Sequence, residues 1–137
     1  GCVLFQLPPS VAFTPYRLAL VLSYMIADFC NVIEFRNETW WCPEVYEALA
    51  EKNVTFCNVS YPNLPNTLVQ TSNIGYFRMH GVPRLFQSGY PEDDLRQLKE
   101  AIALTDWEKA YVYFNNTASQ AGILDALELK KIKSRYK

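Results

Sequence analysis

A chain of 137 residues, half of them hydrophobic and 15% aromatic, carries enough apolar side chain for one ordinary packed domain, which excludes a disordered segment. Thirteen basic against fourteen acidic residues leave a formal charge of −1, so long-range attraction to nucleic acid or anionic membrane is excluded and only a local basic patch remains for either. The longest apolar stretch, around Leu18–Ile26, contains Ser23 and is too short to span a bilayer.

Cys2-Val-Leu-Phe-Gln6 reads as a strand, stopped by Leu7-Pro8-Pro9-Ser10 because proline cannot donate to a central ladder. It starts directly after Gly1 with no charged and apolar leader, so no signal peptide is expected, and the chain reads as a piece of a longer protein. Thr14 and Pro15 fit the cap and first position of a helix whose apolar residues run through Leu18, Val21, Leu22, Met25, Ile26 and Phe29. A strand over Val32–Arg36 follows, then a loop over Asn37–Trp41. Pro43 opens a second helix with Val45, Tyr46, Leu49 and Ala50 on one side, and Val54–Ser60 is the next strand.

Tyr61–Asn73 is a long loop, of a length that is uncommon without a function. Gly75–His80 is a strand and Gly81–Pro91 another loop. Glu92–Leu104 is a helix with acids in its first turn, as the helix dipole favours. Ala110–Asn115 is the last strand, and Ala118 to about Lys133 the last helix, with Ile123, Leu124, Leu127 and Ile132 expected to face inward. Strands alternating with helices predict an α/β fold, a parallel sheet with right-handed crossovers.

In such folds function gathers at the C-terminal ends of the strands, and a polar beat falls there. Side chains alternate across a strand, so Glu34 shares a face with Arg36, Arg78 with His80, and Asn115 with Tyr111 and Tyr113; Gln6 follows Leu4 in the same way. Asn58 and Ser60 are assigned to the same polar face. The opposite parity holds Phe35, Met79 and Phe114, which are expected to pack under helices. Charge on the face of a buried strand is costly unless it lines a site.

Candidate roles follow from side-chain chemistry. His80, the only histidine, is a candidate acid/base with Glu34 beside it, and a structural hydrogen-bonding role is its rival. Arg36 and Arg78 suit an anion, since guanidinium forks match phosphate and carboxylate; the rival is an ion-pair network with Glu34 that fills the interior. Gln6, Asn115 and Trp40 are further candidates for ligand contact, against capping of the last helix for Asn115 and a hydrophobic lid for Trp40. No phosphate loop, zincin motif or nucleophile elbow occurs, and no cofactor is indicated. A metal set of Glu34, His80 and an amide is weak, so none is assigned. The four cysteines, Cys2, Cys30, Cys42 and Cys57, lack metal-ligand spacing, and two lie inside strands; free thiols in a cytoplasmic chain are expected, against a disulfide-bonded, glycosylated alternative.

The strings Leu4-Phe-Gln-Leu-Pro-Pro-Ser10, Glu34-Phe-Arg36 followed by Trp40, Tyr76-Phe-Arg-Met-His-Gly81 and Tyr113-Phe-Asn-Asn116, in this order and spacing, resemble the YecE-like proteins, the family called domain of unknown function 72. The resemblance covers essentially the whole chain. It implies a TIM-type barrel of no established activity, with residues 1–137 a single domain matching the C-terminal five-eighths of it. The family's usual opening strands have no counterpart. A (β/α)₈ barrel takes roughly 200 or more residues, so this chain is expected to be a partial barrel completed by missing N-terminal strands or another copy. Three functions remain open: an enzyme acting on a small anionic substrate, a nucleic-acid-binding or phosphodiester-cleaving barrel, and a non-catalytic ligand-binding module.

Overall fold

The strands of the computed structural model, which describes residues 1–134, form one parallel sheet in sequence order. They are β1 (Cys2–Gln6), β2 (Cys30–Glu34), β3 (Thr55–Ser60), β4 (Ile74–Met79) and β5 (Lys109–Phe114). The helices are α1 (Pro15–Ser23), α2 (Pro43–Glu51), α3 (Glu92–Ala103) and α4 (Ala121–Lys131). The sheet curls into a half-barrel, an α/β arrangement with the form of a partial TIM-type barrel.

The helices cover one face. Leu18 of α1 and Val45 and Leu49 of α2 pack on Ile33, Phe35 and Phe56, all buried. Leu95 of α3 and Leu129 of α4 pack near Val112 and Phe114. The other, concave face has its own buried cluster, Val32, Cys57, Val59 and Tyr76, with Leu4 and Tyr111 against it. Thus Phe35 and Phe114 do lie under helices, as alternation requires.

Local chemistry sets the element ends. Thr14 caps α1 by accepting the Arg17 N–H at 3.1 Å, and Pro15 pre-sets its first turn. The helix stops at Ser23, not near Phe29. The Ser23 hydroxyl donates to the Leu20 carbonyl at 2.7 Å, competing with the helical ladder, and Ile26 and Phe29 stay exposed.

Helix α4 is rotated from the expected phase. Its inward residues are Gly122, Asp125 and Leu129, while Ile123, Leu124 and Leu127 are exposed. A polar latch outweighs the apolar stripe: buried Asn116 donates to Asp125 Oδ2 at 2.7 Å, and Tyr90 N–H donates to the same oxygen at 3.3 Å. Gly122 lies where a Cβ would come within 3.0 Å of Asn116 Oδ1.

Strand β3 also differs from expectation. Its concave face is Cys57 and Val59, and Asn58 and Ser60 point to the helix side. Asn58 holds the 61–73 loop there: Oδ1 accepts Val69 N–H at 2.8 Å and Nδ2 donates to Val69 O at 3.0 Å. The loop contains no helix, and Asn58 pairs it to the sheet as a strand would. Ser60 accepts the Tyr90 hydroxyl at 2.9 Å.

The four-thiol expectation is corrected. Cys2 and Cys30 form a disulfide with Cα atoms 4.6 Å apart, while Cys42 and Cys57 are free. The register explains it. Cys2 stands directly opposite Cys30 in the β1–β2 ladder, so both side chains leave the sheet on one face. A cytoplasmic setting was argued from reduced thiols and loses that support. Among the described residues no helix is long and apolar enough to cross a membrane.

Candidate functional site

Parallel register stacks the concave face in levels. Gln6 stands opposite Glu34, and Cys57, Tyr76 and Tyr111 form a matching row. One level nearer the strand C-terminal ends, Val59, Arg78 and Tyr113 are ladder partners. Arg36, Tyr61 and His80 lie just beyond the ends of β2, β3 and β4.

Glu34 is the hub and is fully buried. Its Oε1 meets Arg36 Nε at 2.5 Å and His80 Nε2 at 3.3 Å, and its Oε2 accepts from Arg78 Nη1. Gln6 Oε1 accepts from the same Arg78 nitrogen at 3.1 Å and from Arg36 Nη2 at 3.4 Å. Arg36 Nη2 lies 3.2 Å from His80 Nε2, and its guanidinium carbon sits 4.3 Å above the Tyr61 ring centroid, a cation–π contact. Tyr61 also meets the His80 ring edge-on, at 5.5 Å between centroids.

Burial alone would push the Glu34 carboxyl up. The His80 hydrogen bond, then the Arg78 hydrogen bond and the charges of Arg36 and Arg78, outweigh it and hold the group below its usual range. The carboxylate is therefore ionised at neutral pH. His80 Nε2 lies within reach of both that carboxylate and Arg36 Nη2, and the tautomer decides which of the two it serves. Nδ1 is buried and has no hydrogen-bond partner among the described residues. Two guanidiniums face one carboxylate, so the cluster carries one surplus positive charge. Arg78, with 18% of its side chain exposed, is the member that opens to solvent.

The five sequence candidates Gln6, Glu34, Arg36, Arg78 and His80 are thus brought together. Asn115 is level with His80 in the β4–β5 register, and its N–H donates to Met79 O at 2.7 Å. Its Oδ1 is buried without a partner among the described residues. Trp40 is not at the site. It is fully buried on the helix side, stacked on Phe35 at 4.3 Å, with Nε1 donating to Val11 O at 2.8 Å. Trp40 lies in a turn, Glu38–Trp40, where strand alternation gives no phase, so its sequence position was uninformative.

Sequence reasoning missed two neighbours. Tyr61 continues the inward parity of Cys57 and Val59 and was hidden by the wrong phase for β3. Cys57 lies beside the hub, but burial, and after it the charge of Glu34, push its thiol well up against the opposing pull of Arg78 and Arg36. It is a neutral thiol and no poised nucleophile. Among the described residues no group of three His, Cys, Asp or Glu side chains is placed to hold a metal ion.

A parallel half-barrel with a cation-rich cluster at the strand C-terminal ends defines a TIM-barrel type of protein, with its candidate site where that architecture puts sites. The family model described as "Protein of unknown function DUF72" matches residues 1–136, and the chain belongs to that family. It is similar to the crystal structure of a DUF72 family protein from Thermotoga maritima, at 28% identity and a TM-score of 0.83, over 93% of this chain and 55% of that one. A DUF72 family protein from Enterococcus faecalis shares the fold at 20% identity and a TM-score of 0.83, over 95% of this chain and 57% of that one. The chain therefore spans little more than half the length of these structures. Among curated proteins nothing matches.

Proposed function

We propose that this protein acts on a small anionic substrate bearing phosphate or carboxylate, held at the concave face by Arg36 and Arg78. The observation that carries the reading is the charge count around Glu34: two guanidiniums share one buried carboxylate, so one positive charge is left for a ligand. Glu34 fixes the two forks, and Gln6 orients Arg78. His80 is the acid/base candidate, its Nδ1 without a hydrogen-bond partner among the described residues, and Asn115, its register neighbour just past β5, has an unpartnered Oδ1 as well. The near-neutral chain gives the nucleic-acid reading no comparable support.

Calorimetric titration of the whole protein with inorganic phosphate and with malate tests this. We expect binding that weakens with added salt and falls at least tenfold in Arg78→Gln. Arg78 is chosen because it is the more exposed guanidinium, so its loss leaves less buried charge unpaired. Absence of anion binding by the wild type at millimolar concentrations, or an unchanged Arg78→Gln, would refute the proposal. A pH–rate profile that loses a limb in His80→Ala would separate turnover from mere binding.

A further inference from the structure

The cluster has an aromatic wall on one side. Tyr76 on β4 and Tyr111 and Tyr113 on β5 share the concave parity. Tyr76 and Tyr113 stack with centroids 5.0 Å apart at 30°, and Tyr111 and Tyr113 stand 6.4 Å apart at 18°. Tyr113 is the ladder partner of Arg78, so the two side chains rise from adjacent strands about 4.8 Å apart. The wall is covered at one end and open at the other: Tyr76 is 7% exposed and Tyr113 45%. Burial, and then the Tyr113 hydroxyl, push the Tyr76 phenol up, so this part of the wall carries no negative charge to repel an anion.

We infer that the substrate is an aromatic phosphate ester, a nucleoside monophosphate or a simpler aryl phosphate, with its phosphate on Arg36 and Arg78 and its flat ring against Tyr113. This rests on the anion reading above and adds the organic half of the ligand. An anion held by Arg78 directs its ester substituent either back toward the other guanidinium or across to β5, where Tyr113 is the most exposed ring of the wall. Tyrosine rings stack on any flat π system and tolerate differences between bases. A wall of aliphatic side chains would give no such preference over a bare sugar. Tyr76 and Tyr111 both stand near-parallel to Tyr113, so the ring is set in an aromatic group before a ligand arrives.

The test is calorimetric titration of the whole protein with inorganic phosphate, ribose 5-phosphate, phenyl phosphate and adenosine 5′-monophosphate. The two aromatic esters are expected to bind about tenfold more tightly than ribose 5-phosphate. Tyr113→Ala should abolish that difference and leave ribose 5-phosphate within twofold of wild type, while Tyr113→Phe should keep it. A preference for phenyl phosphate equal to that for the nucleotide would assign the wall to any aryl group; a larger one for the nucleotide would assign it to the base. If anions bind but aromatic esters gain nothing over ribose 5-phosphate, or if Tyr113→Ala weakens all four ligands alike, the aromatic inference is overturned and the anion site stands. If none of the four binds the wild type, both are overturned.

Discussion

Glu34 concentrates the energetics of the concave face in one side chain. It is completely buried and neutralises Arg36, which is itself 7% exposed. Removing one partner of a buried ion pair leaves an uncompensated charge, so Glu34→Gln should destabilise the protein by about 3 kcal/mol in urea unfolding at pH 7. A change under 1 kcal/mol would mean that water already reaches the guanidiniums. The same residue sets an acid limit. Its folded carboxyl titrates below the ordinary value of 4.5, so as pH falls through that value the unfolded chain takes up the proton first. The stabilisation is complete above pH 4.5 and is lost as pH falls through the lower folded value. Wild type should lose melting temperature in that window, and Glu34→Gln should lose less. This much was legible in the sequence, because strand alternation fixes that Glu34 and Arg36 share a face whatever surrounds them. Asn58 and Ser60 were misassigned because β3 is buried on both faces, so hydrophobicity does not set its phase; the pairing of Asn58 with Val69 does.

At the level of elements, the turn after β4 aims the site. Gly81 follows His80 at φ +88°, donates its N–H to the Tyr90 hydroxyl at 2.8 Å, and has room for no Cβ, which would lie 2.8 Å from Ser88 O. Gly81→Ala is therefore expected to cost about 2 kcal/mol and to displace His80; urea unfolding and the His80 ring proton resonances report the two effects separately. A resonance that stays in place would mean that the neighbouring strands alone hold the imidazole. The β1–β2 pair makes its own prediction. With Cys2 and Cys30 bonded, thiol titration of the denatured protein without reductant should count the two sulfurs of Cys42 and Cys57, and four after reduction. Four in both cases would return the cysteines to the reduced reading. The rotation of α4 shows where sequence periodicity fails. Its apolar stripe through Ile123, Leu124 and Leu127 pointed inward on hydrophobicity alone, yet the Asn116–Asp125 bond turns it to solvent. A hydrogen bond between residues nine apart leaves no periodic trace in the chain.

Across the whole molecule, β1 and β5 are the two edges of the parallel sheet among the described residues, and α4, which packs on β5, turns an apolar stripe to solvent. Edge N–H and C=O groups need partners, and an unpaired edge beside exposed apolar side chains is a template for association. Solved structures of the family extend well beyond the portion this chain matches, which is 55% of one and 57% of the other. Residues 1–137 produced alone are therefore expected to self-associate, pairing β5 of one copy with β1 of the next. In a symmetric pair both junctions form in parallel and close ten strands, whereas a pair that fails to close continues as an aggregate. Sedimentation should show species heavier than the 15.8 kDa monomer at micromolar concentration. Amide exchange at Leu4 and at Val112 should slow with association, because the N–H groups at these positions point away from β2 and β4 and gain partners. A monodisperse monomer of 15.8 kDa that melts cooperatively would sink this prediction. It would show that five strands and four helices with their latches at Asn58, Asn116 and Cys2–Cys30 form a self-sufficient open sheet, with the Glu34 cluster on a solvent-facing surface.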